Sequence, residues 1–392
     1  MKNLKKKGFT IVELVIVIAV IAVLAAVLIP TFVNLTKKAN QSADIQATRQ
    51  MNVVLASDKY ATIEEAVAAL AEAGYNALDT LTPVSTGYSF WWVEEYNSIV
   101  LLNENAEVVF ASNKDAQANF EAAKAAGKAF NLKRGLPEVS ANNSESVIDA
   151  LRNGQSVKLD ADVTIDEKIK IQKGEDITID LNGKTLTTAV TGSSSEGDKH
   201  EYAFDNHGTL TIENGTIESR GIYNRAGATL VIGKEVTVIA TDPDGGSAIN
   251  VKGGTVTIDG ATLIAQLGDA GDSGDTNVLA YEPSALKVEA GKVYIKNATV
   301  NAPQSGAYAI QILGGEAIIE NCTVEAYRGA VYANNSTISI NGGTYKQMDI
   351  TNPTGHAVCA QGKAVVTISA GTIIEGASPV VYGPEVNWTD NR

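Results

Sequence analysis

The feature that most constrains the fold of this chain is a repeat that begins near Ser140 and continues past Ile368. A short strand pattern, apolar-x-Ile or close to it, recurs with a base period of about 20 residues and with insertions between copies, which is the signature of a solenoid. The recurring isoleucines are Ile179, Ile212, Ile232, Ile258, Ile295, Ile319, Ile340 and Ile368. In such a fold each coil stacks on the next, so residues of one column lie above one another.

Two further columns stay in phase with the isoleucines. Each isoleucine is followed by a threonine and then an apolar residue; the pairs are Thr185-Leu186, Thr216-Ile217, Thr237-Val238, Thr262-Leu263, Thr299-Val300, Thr323-Val324, Thr344-Tyr345 and Thr372-Ile373. Every coil also carries a strand that begins with a small residue and an apolar one, from Ala203-Phe204 to Ala357-Val358. Columns of this kind allow parallel strands to bury a continuous core.

The region 140–392 therefore resembles right-handed parallel β-helices of the pectate-lyase type, with about eight or nine coils. Ser144 to Asn153 is predicted to form a short helix that caps one end. Glycine and asparagine pairs between the strands supply the left-handed backbone angles that tight corners need. A sandwich of hairpins is the competing fold. The β-helix is favoured because the columns stay in phase although the insertions vary in length.

The N-terminus carries a different signal. From Leu14 to Thr36 no residue is charged, and about 20 apolar residues suffice to span a bilayer. Four lysines precede this stretch and two follow it, which places the N-terminal end on the cytoplasmic side. Glu13 interrupts the apolar run, where a carboxylate costs about 2.5 to 3.5 kcal/mol, so this acid marks a functional position.

These residues resemble the N-termini of type IV pilins and pseudopilins. The landmarks are Gly8 at the end of a basic leader, Phe9 directly after it, Glu13 at the fifth position beyond the glycine, and Pro30 within the apolar stretch. An ordinary secretory signal has its apolar core before the cleavage site. Here the glycine precedes the apolar core, so cleavage after it would retain the core. A simple membrane anchor is the second alternative to the pilin-type interpretation.

The resemblance implies processing and assembly. A prepilin peptidase would remove the leader 1–8 by cutting between Gly8 and Phe9 and would methylate the new amine of Phe9. The segment 9–57 would be one long helix, bent near Pro30, with 9–35 crossing the membrane and later contacting other pilin subunits. The Glu13 carboxylate would neutralise the Phe9 amine of a neighbouring subunit, a type of buried pair best attested as a register device.

A small unit is predicted between the helix and the repeat. Residues 58–112 contain a helical pattern from Ile63 to Ala73, with Thr62 as N-cap, and then three short antiparallel strands; these are Tyr88–Val93, Ile99–Leu102 and Val108–Ala111. The Ala- and Lys-rich stretch from Asn113 to Asn131 predicts a helix within a linker over 113–139. The fold class is thus an α+β pilin-like head on a long N-terminal helix, followed by an all-β parallel β-helix.

Two tryptophans are adjacent, Trp91 and Trp92, so their rings face opposite sides of a strand. We expect one ring to pack on the long helix and the other on the next helix or a neighbouring subunit. Sugar stacking by one of them is the alternative.

The candidate ligand site is an outward-facing column beside the insertions of the repeat. In and out alternation along the strands predicts its members to be Asp205, Tyr223, Asn250, Lys287, Gln311, Tyr332, Cys359 and Tyr382. The candidate ligand face consists of Tyr223, Asn250, Gln311, Tyr332 and Tyr382, whose tyrosines could stack on sugar rings; isolated surface tyrosines are the alternative. Glycoside hydrolysis usually needs two carboxylates, and this column has one, so no catalytic residue and no enzymatic activity is predicted.

No cofactor and no metal site is predicted. The three histidines are scattered. Asp269, Asp272 and Asp275 could share a calcium ion, but a solvated loop is favoured because their spacing matches no known calcium loop. Cys322 and Cys359 are expected to be free thiols.

The charge argues against nucleic acid as a partner. The formal net charge is −14, and removal of the leader takes away four lysines and no acid, which gives −18. In sequence, basic residues of the mature chain are adjacent only at Lys37-Lys38 and Lys133-Arg134.

The predicted function is that of a pilin-like subunit, in a minor or tip position, that displays a non-catalytic β-helix for surface binding or adhesion. Its partners would be prepilin peptidase, other pilin subunits, membrane lipid before assembly, and a glycan or other surface ligand. It would begin as a single-pass protein of the cytoplasmic membrane and end in a pilus or at the cell surface. The alternatives are a surface-anchored polysaccharide lyase or hydrolase, and an envelope-confined secretion pseudopilin.

Overall fold

The structure is a computed structural model, and it describes residues 11–75, 78, 80–112, 116–189, 202–241, 247–265, 284–303, 308–351, 355–377 and 381–383. A long N-terminal helix and a small antiparallel sheet are followed by a large body of parallel strands.

The described residues of the N-terminal part form three helices, four strands and two 3₁₀ turns. The helices are α1 (Ile11–Leu55), α2 (Ile63–Glu72) and α3 (Ala116–Ala125); the strands are β1 (Ser89–Val93), β2 (Ser98–Leu102), β3 (Val108–Phe110) and β4 (Ala129–Asn131); the 3₁₀ turns are Glu94–Tyr96 and Leu132–Gly135. The sheet has the order β3-β2-β1-β4 with antiparallel neighbours. Thr62 caps α2 as predicted, because its hydroxyl accepts the Glu65 N–H at 3.3 Å.

The helix predicted from Asn113 to Asn131 within the linker 113–139 is wrong in its second half. Helix α3 ends at Ala125 and Gly127 takes φ +69°, which only glycine adopts readily. The chain then returns as β4, whose Phe130 pairs with Trp92 of β1. The alternating residues of β4 fit a sheet better than a helix, because one side of the strand is buried.

Both tryptophans lie in the core of this N-terminal part, on opposite sides of its sheet. Trp92 packs with Met51 and Leu55 of α1. Trp91 packs under α3, with its ring centroid 5.5 Å from that of Phe120 in an edge-on arrangement. The prediction that one ring packs on the long helix and the other on the next helix is confirmed, and neither ring is available to stack on a sugar.

The body consists of coils that each contribute strands to three faces. The first face contains β5 (Val139–Ala141), β6 (Val157–Leu159), β9 (Asp176–Asp180), β12 (Thr209–Glu213), β15 (Thr229–Ile232), β18 (Thr255–Asp259), β21 (Lys292–Lys296), β28 (Val365–Ile368) and the first halves of β24 (Glu316–Ala326) and β26 (Thr337–Gln347). The second face contains β7 (Val163–Ile165), β10 (Thr185–Thr188), β13 (Gly215–Ser219), β16 (Val236–Ala240), β19 (Thr262–Ala265), β22 (Thr299–Ala302), the second halves of β24 and β26, and β29 (Ile373–Glu375).

The third face contains β8 (Ile169–Ile171), β11 (Phe204–Asn206), β14 (Ile222–Asn224), β17 (Ile249–Val251), β20 (Leu286–Val288), β23 (Tyr308–Ile312), β25 (Gly329–Asn334), β27 (Val358–Gln361) and β30 (Val381–Tyr382). Its strands pair in parallel from one coil to the next. The first and second faces form one continuous sheet, since β24 and β26 run through the corner between them.

The predicted isoleucine column is confirmed at every position. The pairing runs without a break from Ile179 through Ile258 to Ile368, and these side chains are buried in one continuous core. The threonine column is confirmed as far as Thr344. There it shifts, because Thr344 pairs with Ile373 and Tyr345 with Ile374. One extra residue in the last corner causes the shift and leaves Ile373 exposed.

The corners depend on left-handed residues, as predicted. Asn182, Asn214, Asn297 and Asn321 all have φ near +50° at the corner between the first and second faces. At another corner Gly254 has φ +73°, and a Cβ there would lie 2.1 Å from the Ala228 carbonyl oxygen, so only glycine fits.

Helix α4 (Ser144–Arg152) covers the first coil, as predicted for a capping helix. The Asn143 side chain caps it by accepting the Ser146 N–H at 2.9 Å. Val147, Ile148 and Leu151 are buried against the coil and close that end of the core.

Candidate functional site

Helix α1 has two physically different halves. Its N-terminal half exposes one large apolar side chain after another, among them Leu14, Ile21 and Leu28. By length and composition the helix is suited to cross a membrane, and none of its most apolar stretch is buried against the rest of the protein. Its C-terminal half, from Asp44 onward, packs into the core with Met51 and Leu55. The N-terminal half of α1 is thus free to contact lipid or other helices, while the C-terminal half packs against the folded N-terminal part.

Polar contacts fix the C-terminal half of α1, and sequence reasoning did not identify them. The Asp44 carboxylate accepts the backbone N–H groups of Val84 and Ser85 at 2.6 and 3.0 Å. Asn52 pairs with both backbone groups of Ile99 on β2. These hydrogen bonds hold the C-terminal half of α1 against the sheet and the loop before it.

The predicted processing and assembly residues fall at the start of this helix. Gly8 and Phe9 lie outside the described residues. Glu13 is in the first turn of α1 and Pro30 is inside the helix. Their roles in cleavage, methylation and subunit contact stay predictions.

The outward column of the third face forms one unbroken ladder. Its register runs from Asp205 to Tyr223, Asn250, Lys287, Gln311, Tyr332, Cys359 and Tyr382 in the predicted order. The column is less exposed than we expected: Tyr223 is 4% exposed and Tyr332 is 5% exposed, whereas Tyr382 is 44% exposed. For Tyr223 and Tyr332, both the predicted sugar-stacking role and the alternative of isolated surface tyrosines are wrong, since other side chains cover the two rings.

Tyr223 is covered by a polar and aromatic cluster. The ring of Tyr202 lies 4.4 Å from the Tyr223 ring, and the Arg225 guanidinium carbon lies 3.9 Å from the same ring on centroid distances. Arg225 Nε donates to Asp205 Oδ1 at 2.6 Å. Burial works against the charge of Asp205, but the hydrogen bonds from Arg225 and His207 hold the pKa of this carboxyl below its ordinary value.

Lys287 lies at the middle of the ladder between two incompletely paired amides. Its neighbours are Asn250 below and Gln311 above. Within the described ranges, the buried Asn250 Oδ1 and Gln311 Nε2 atoms have no hydrogen-bond partner. Burial lowers the pKa of Lys287, and Glu289, at 3.8 Å from its Nζ, partly offsets this effect. A ligand that both accepts and donates hydrogen bonds would satisfy these groups.

Basic side chains gather on this face, which sequence reasoning missed. Several basic residues on the described strands and edges of the third face lie near Asp205 and Glu289; they are Lys168, Lys170, Arg225, Lys252 and Lys287. The expectation that positive charge is not clustered is therefore wrong for the folded chain. Arg225 and Lys252 stand two residues after Tyr223 and Asn250, so extending the in and out alternation would have found them.

The upper end of the column is aromatic. The Tyr308 and Tyr332 rings lie 5.4 Å apart, and His356 stacks on Tyr382 at 4.7 Å with the two planes 9° apart. The Arg328 guanidinium lies 5.9 Å from the Tyr308 ring. Burial raises the pKa of Tyr308, so this phenol stays protonated.

The two carboxylates of this face are too far apart to act as a pair. Asp205 and Glu289 belong to coils three steps apart along the ladder, which at about 4.8 Å per step gives roughly 14 Å. Glycosidase carboxyls are separated by about 5 to 9.5 Å. These two residues therefore do not form a glycosidase pair.

Within the described ranges, no three His, Cys, Asp or Glu side chains are placed to share a metal ion. Asp269, Asp272 and Asp275 lie outside those ranges, so the calcium interpretation is untested. Cys322 and Cys359 are buried free thiols on different faces.

The N-terminus resembles known pilins. Residues 3–29 match the prokaryotic N-terminal methylation motif. The type IV narrow pilus major component PilA5 of Thermus thermophilus is 51% identical over 45 residues, which are 12% of this chain and 38% of that protein. The type IV wide pilus major component PilA4 of the same species is 61% identical over 36 residues, 9% of this chain and 28% of that protein. The chain thus spans about a third of the curated relatives it matches.

The prediction of a prepilin-type N-terminus is confirmed by this motif. Together with the exposed apolar half of α1, this motif fits the N-terminus of a membrane-anchored precursor that assembles into a pilus.

The body aligns with the crystal structure of an alginate lyase from Paenibacillus sp. strain FPU-7, at a TM-score of 0.35 and 17% identity, over 64% of this chain and 99% of that one. The prediction that this chain is not an enzyme is contradicted by this alignment with a lyase and is withdrawn. A likeness this weak assigns no activity to this chain.

Proposed function

We propose that this chain is a type IV pilin-like subunit that is cut between Gly8 and Phe9, assembles through α1, and presents its β-helix outward to bind an acidic glycan. The observation that carries the proposal is the division of α1 into an exposed apolar half and a packed half. A helix of this kind connects a filament core to a folded domain without burying its own assembly surface.

The small antiparallel unit between α1 and the β-helix is proposed to be the pilin-type head. Its sheet packs directly on the C-terminal half of α1 through Trp92, Met51 and Leu55. The bulk of the β-helix favours a minor or tip position, because a stack of coils on every subunit would crowd a thin filament.

The third face supports an acidic glycan as the ligand. Lys287 offers a cation between the unpaired polar atoms of Asn250 and Gln311. A sugar acid has a carboxylate that can pair with Lys287. Its hydroxyls both donate and accept, so they can pair with Asn250 Oδ1 and Gln311 Nε2. The surrounding basic side chains attract such a ligand to a protein that is acidic as a whole.

A second candidate function is cleavage of that glycan by elimination. Burial lowers the pKa of Lys287, and a lysine with a lowered pKa is suited to take up a proton at neutral pH. Elimination needs no second carboxylate, in contrast to hydrolysis.

One experiment separates these functions. The full-length chain, purified in detergent, is titrated with polygalacturonate and with alginate oligomers while the ultraviolet absorbance of unsaturated uronate is followed. Binding without a rise in absorbance supports a binding module, and a sustained rise supports a lyase. Absence of binding to both polymers would refute the acidic-glycan proposal. Single-stranded DNA is titrated in parallel, and equal affinity for it would assign the face to polyanions in general.

A further inference from the structure

A cavity lies at the junction between the N-terminal part and the β-helix, and none of its lining residues belongs to the third-face ladder. Its volume is about 290 Å³, close to the lower end of the range of small-molecule sites. One wall is the segment 81–90, which joins α2 to β1. The other wall contains Lys133 and the turn 172–175 between β8 and β9. Both structural units thus contribute to a single cavity.

Ser85 presents an unsatisfied hydroxyl in this cavity. Its N–H donates to Asp44, and its carbonyl accepts from Tyr88 at 3.1 Å, so the backbone is fixed. The residue is 9% exposed, and its Oγ has no hydrogen-bond partner among the residues that the structure describes. Buried hydroxyls are nearly always paired with protein or ordered water. A bound molecule with a polar group next to Ser85 would satisfy it.

Lys133 and Glu175 supply opposite charges that leave room between them. A Cβ on Gly154 would lie 3.0 Å from both Lys133 Nζ and Glu175 Oε1, so these two groups lie on either side of that position. Lys133 Nζ donates to the Asn153 carbonyl at 3.0 Å, which uses one of its three donors. Burial lowers the pKa of Lys133 and raises the pKa of Glu175. Lys133 is the positive group and Glu175 the negative one. An ionic ligand of either sign would therefore lie next to a group that carries its own sign of charge.

The opposite wall is apolar and aromatic. Leu81, Pro83 and Phe90 are buried along it, and the ring of Tyr88 is half-buried at its edge. A fully apolar ligand would fit this wall but would leave the Ser85 hydroxyl unpaired and would place an apolar surface against the Lys133 and Glu175 side chains. The cavity therefore fits a neutral molecule with one apolar side and several hydroxyls.

We infer that this junction cavity binds a neutral sugar of monosaccharide size, which bridges the N-terminal part and the β-helix. The C–H side of the ring packs on Tyr88 and Pro83. Its hydroxyls accept from Lys133, donate to Glu175 and pair with Ser85. The site differs from the third-face ladder in both charge and position, so it does not depend on the acidic-glycan proposal.

The test uses the full-length chain in an amine-oxide detergent, because glycosidic detergents would compete. Glucose, galactose, mannose and N-acetylglucosamine are screened by saturation-transfer NMR and by thermal unfolding. At least one of them is expected to give saturation transfer and to raise the unfolding temperature. Ser85→Val and Glu175→Gln are each expected to weaken that affinity at least tenfold.

Three variants keep the result interpretable. Thr86→Trp, at the exposed rim of the cavity, is expected to abolish binding without changing the unfolding temperature measured without sugar. Thr211→Val on the first face and Lys287→Met on the third face are expected to leave sugar affinity unchanged. Failure of all four sugars to bind the wild-type chain would mean that water alone fills the cavity and would overturn the inference. Unchanged binding in Ser85→Val, Glu175→Gln and Thr86→Trp would overturn it as well.

Discussion

Asp44 of α1 accepts the backbone N–H of Val84 at 2.6 Å in a site where the carboxylate is 1% exposed. The same carboxylate holds Ser85, so one side chain of the long helix fixes the loop that leads into β1. Asp44→Asn replaces one of the two carboxylate oxygens by an amide NH₂ group, which would then face a backbone N–H of Val84 or Ser85, a donor facing a donor. We expect a loss of about 1.5 to 3 kcal/mol in the free energy of unfolding, measured by denaturant unfolding in detergent.

The control for that change is Asp58→Asn, since Asp58 is exposed and its carboxylate accepts the N–H of the neighbouring Lys59. Its expected effect is within about 0.5 kcal/mol. Equal effects of the two substitutions would show that Asp44 does not fix the loop.

The junction between the two structural units should respond to pH through Glu175. Burial raises the pKa of this carboxyl above its ordinary value, while the Gln172 N–H and Lys133 oppose the shift. The folded protein therefore keeps the proton to a higher pH than the unfolded chain. Its contribution to stability is present in acid and is lost as the pH rises through the folded-state pKa. Each unit of pKa difference corresponds to about 1.4 kcal/mol.

Glu175→Gln should flatten this dependence. The free energy of unfolding is measured from mildly acidic to neutral pH for the wild type, for Glu175→Gln and for the exposed control Glu145→Gln. The difference between wild type and Glu175→Gln should fall as the pH rises, and the control should follow the wild type. A constant difference would mean that Glu175 has the same pKa in both states.

Lys287 should determine affinity for acidic glycans. Lys287→Met removes the cation between Asn250 and Gln311 and is expected to lower affinity for polygalacturonate at least tenfold, or about 1.4 kcal/mol. Burial lowers the pKa of Lys287, so the wild-type side chain loses its charge at a lower pH than an ordinary lysine does, and affinity should fall at that pH. Lys287→Arg stays charged there and should keep its affinity. Isothermal titration measures both. Equal affinity for the fully methyl-esterified polymer would contradict a role for the charge.

The register of the last coil can be tested by a pair of truncations. Ile258 lies in the middle of the confirmed column and is fully buried, so Ile258→Ala should cost about 2 to 5 kcal/mol. Ile373 is 52% exposed, so Ile373→Ala should cost less than about 0.5 kcal/mol. Chemical denaturation compares them. A large loss in Ile373→Ala would show that Thr372 stacks on Thr344 after all.

The sequence predicts the columns of the β-helix because each coil repeats the same burial requirement. Parallel pairing places Ile212 against Ile232 and Tyr223 against Asn250 without further information. The slip at Thr372 was not predictable from the threonine pattern, since the deciding feature is one extra corner residue. Strand β4 was missed because its three residues gain their stability from β1, which is distant in sequence.

The candidate site was predictable in its order but not in its surroundings. Alternation along the strands identified Lys287 and Gln311 as neighbours. It did not predict that Tyr202 covers Tyr223, because Tyr202 lies outside the strands, before β11, and Tyr223 is on β14 of the next coil. The cavity around Ser85 was not predictable at all, since its walls come from segments far apart in the chain.

Glu13 should separate processing from assembly. Glu13→Ala leaves Gly8 and Phe9 in place, so cleavage is expected to proceed. Incorporation into filaments is expected to fall at least tenfold, because the methylated amine of a neighbouring subunit then lacks its counter-charge. Quantitative immunoblotting of sheared filaments measures this, with the exposed Glu64→Ala as control. Normal incorporation of Glu13→Ala would refute the pairing.

The mass of the mature N-terminus is the most direct measurement. The protein is recovered from sheared surface filaments and analysed by intact and peptide mass spectrometry. We predict that it begins at Phe9 with a methylated amine and keeps all of α1. A chain that still carries Met1 and the leader lysines in filaments, or that is found only in soluble form without membrane or filament, would contradict the proposal.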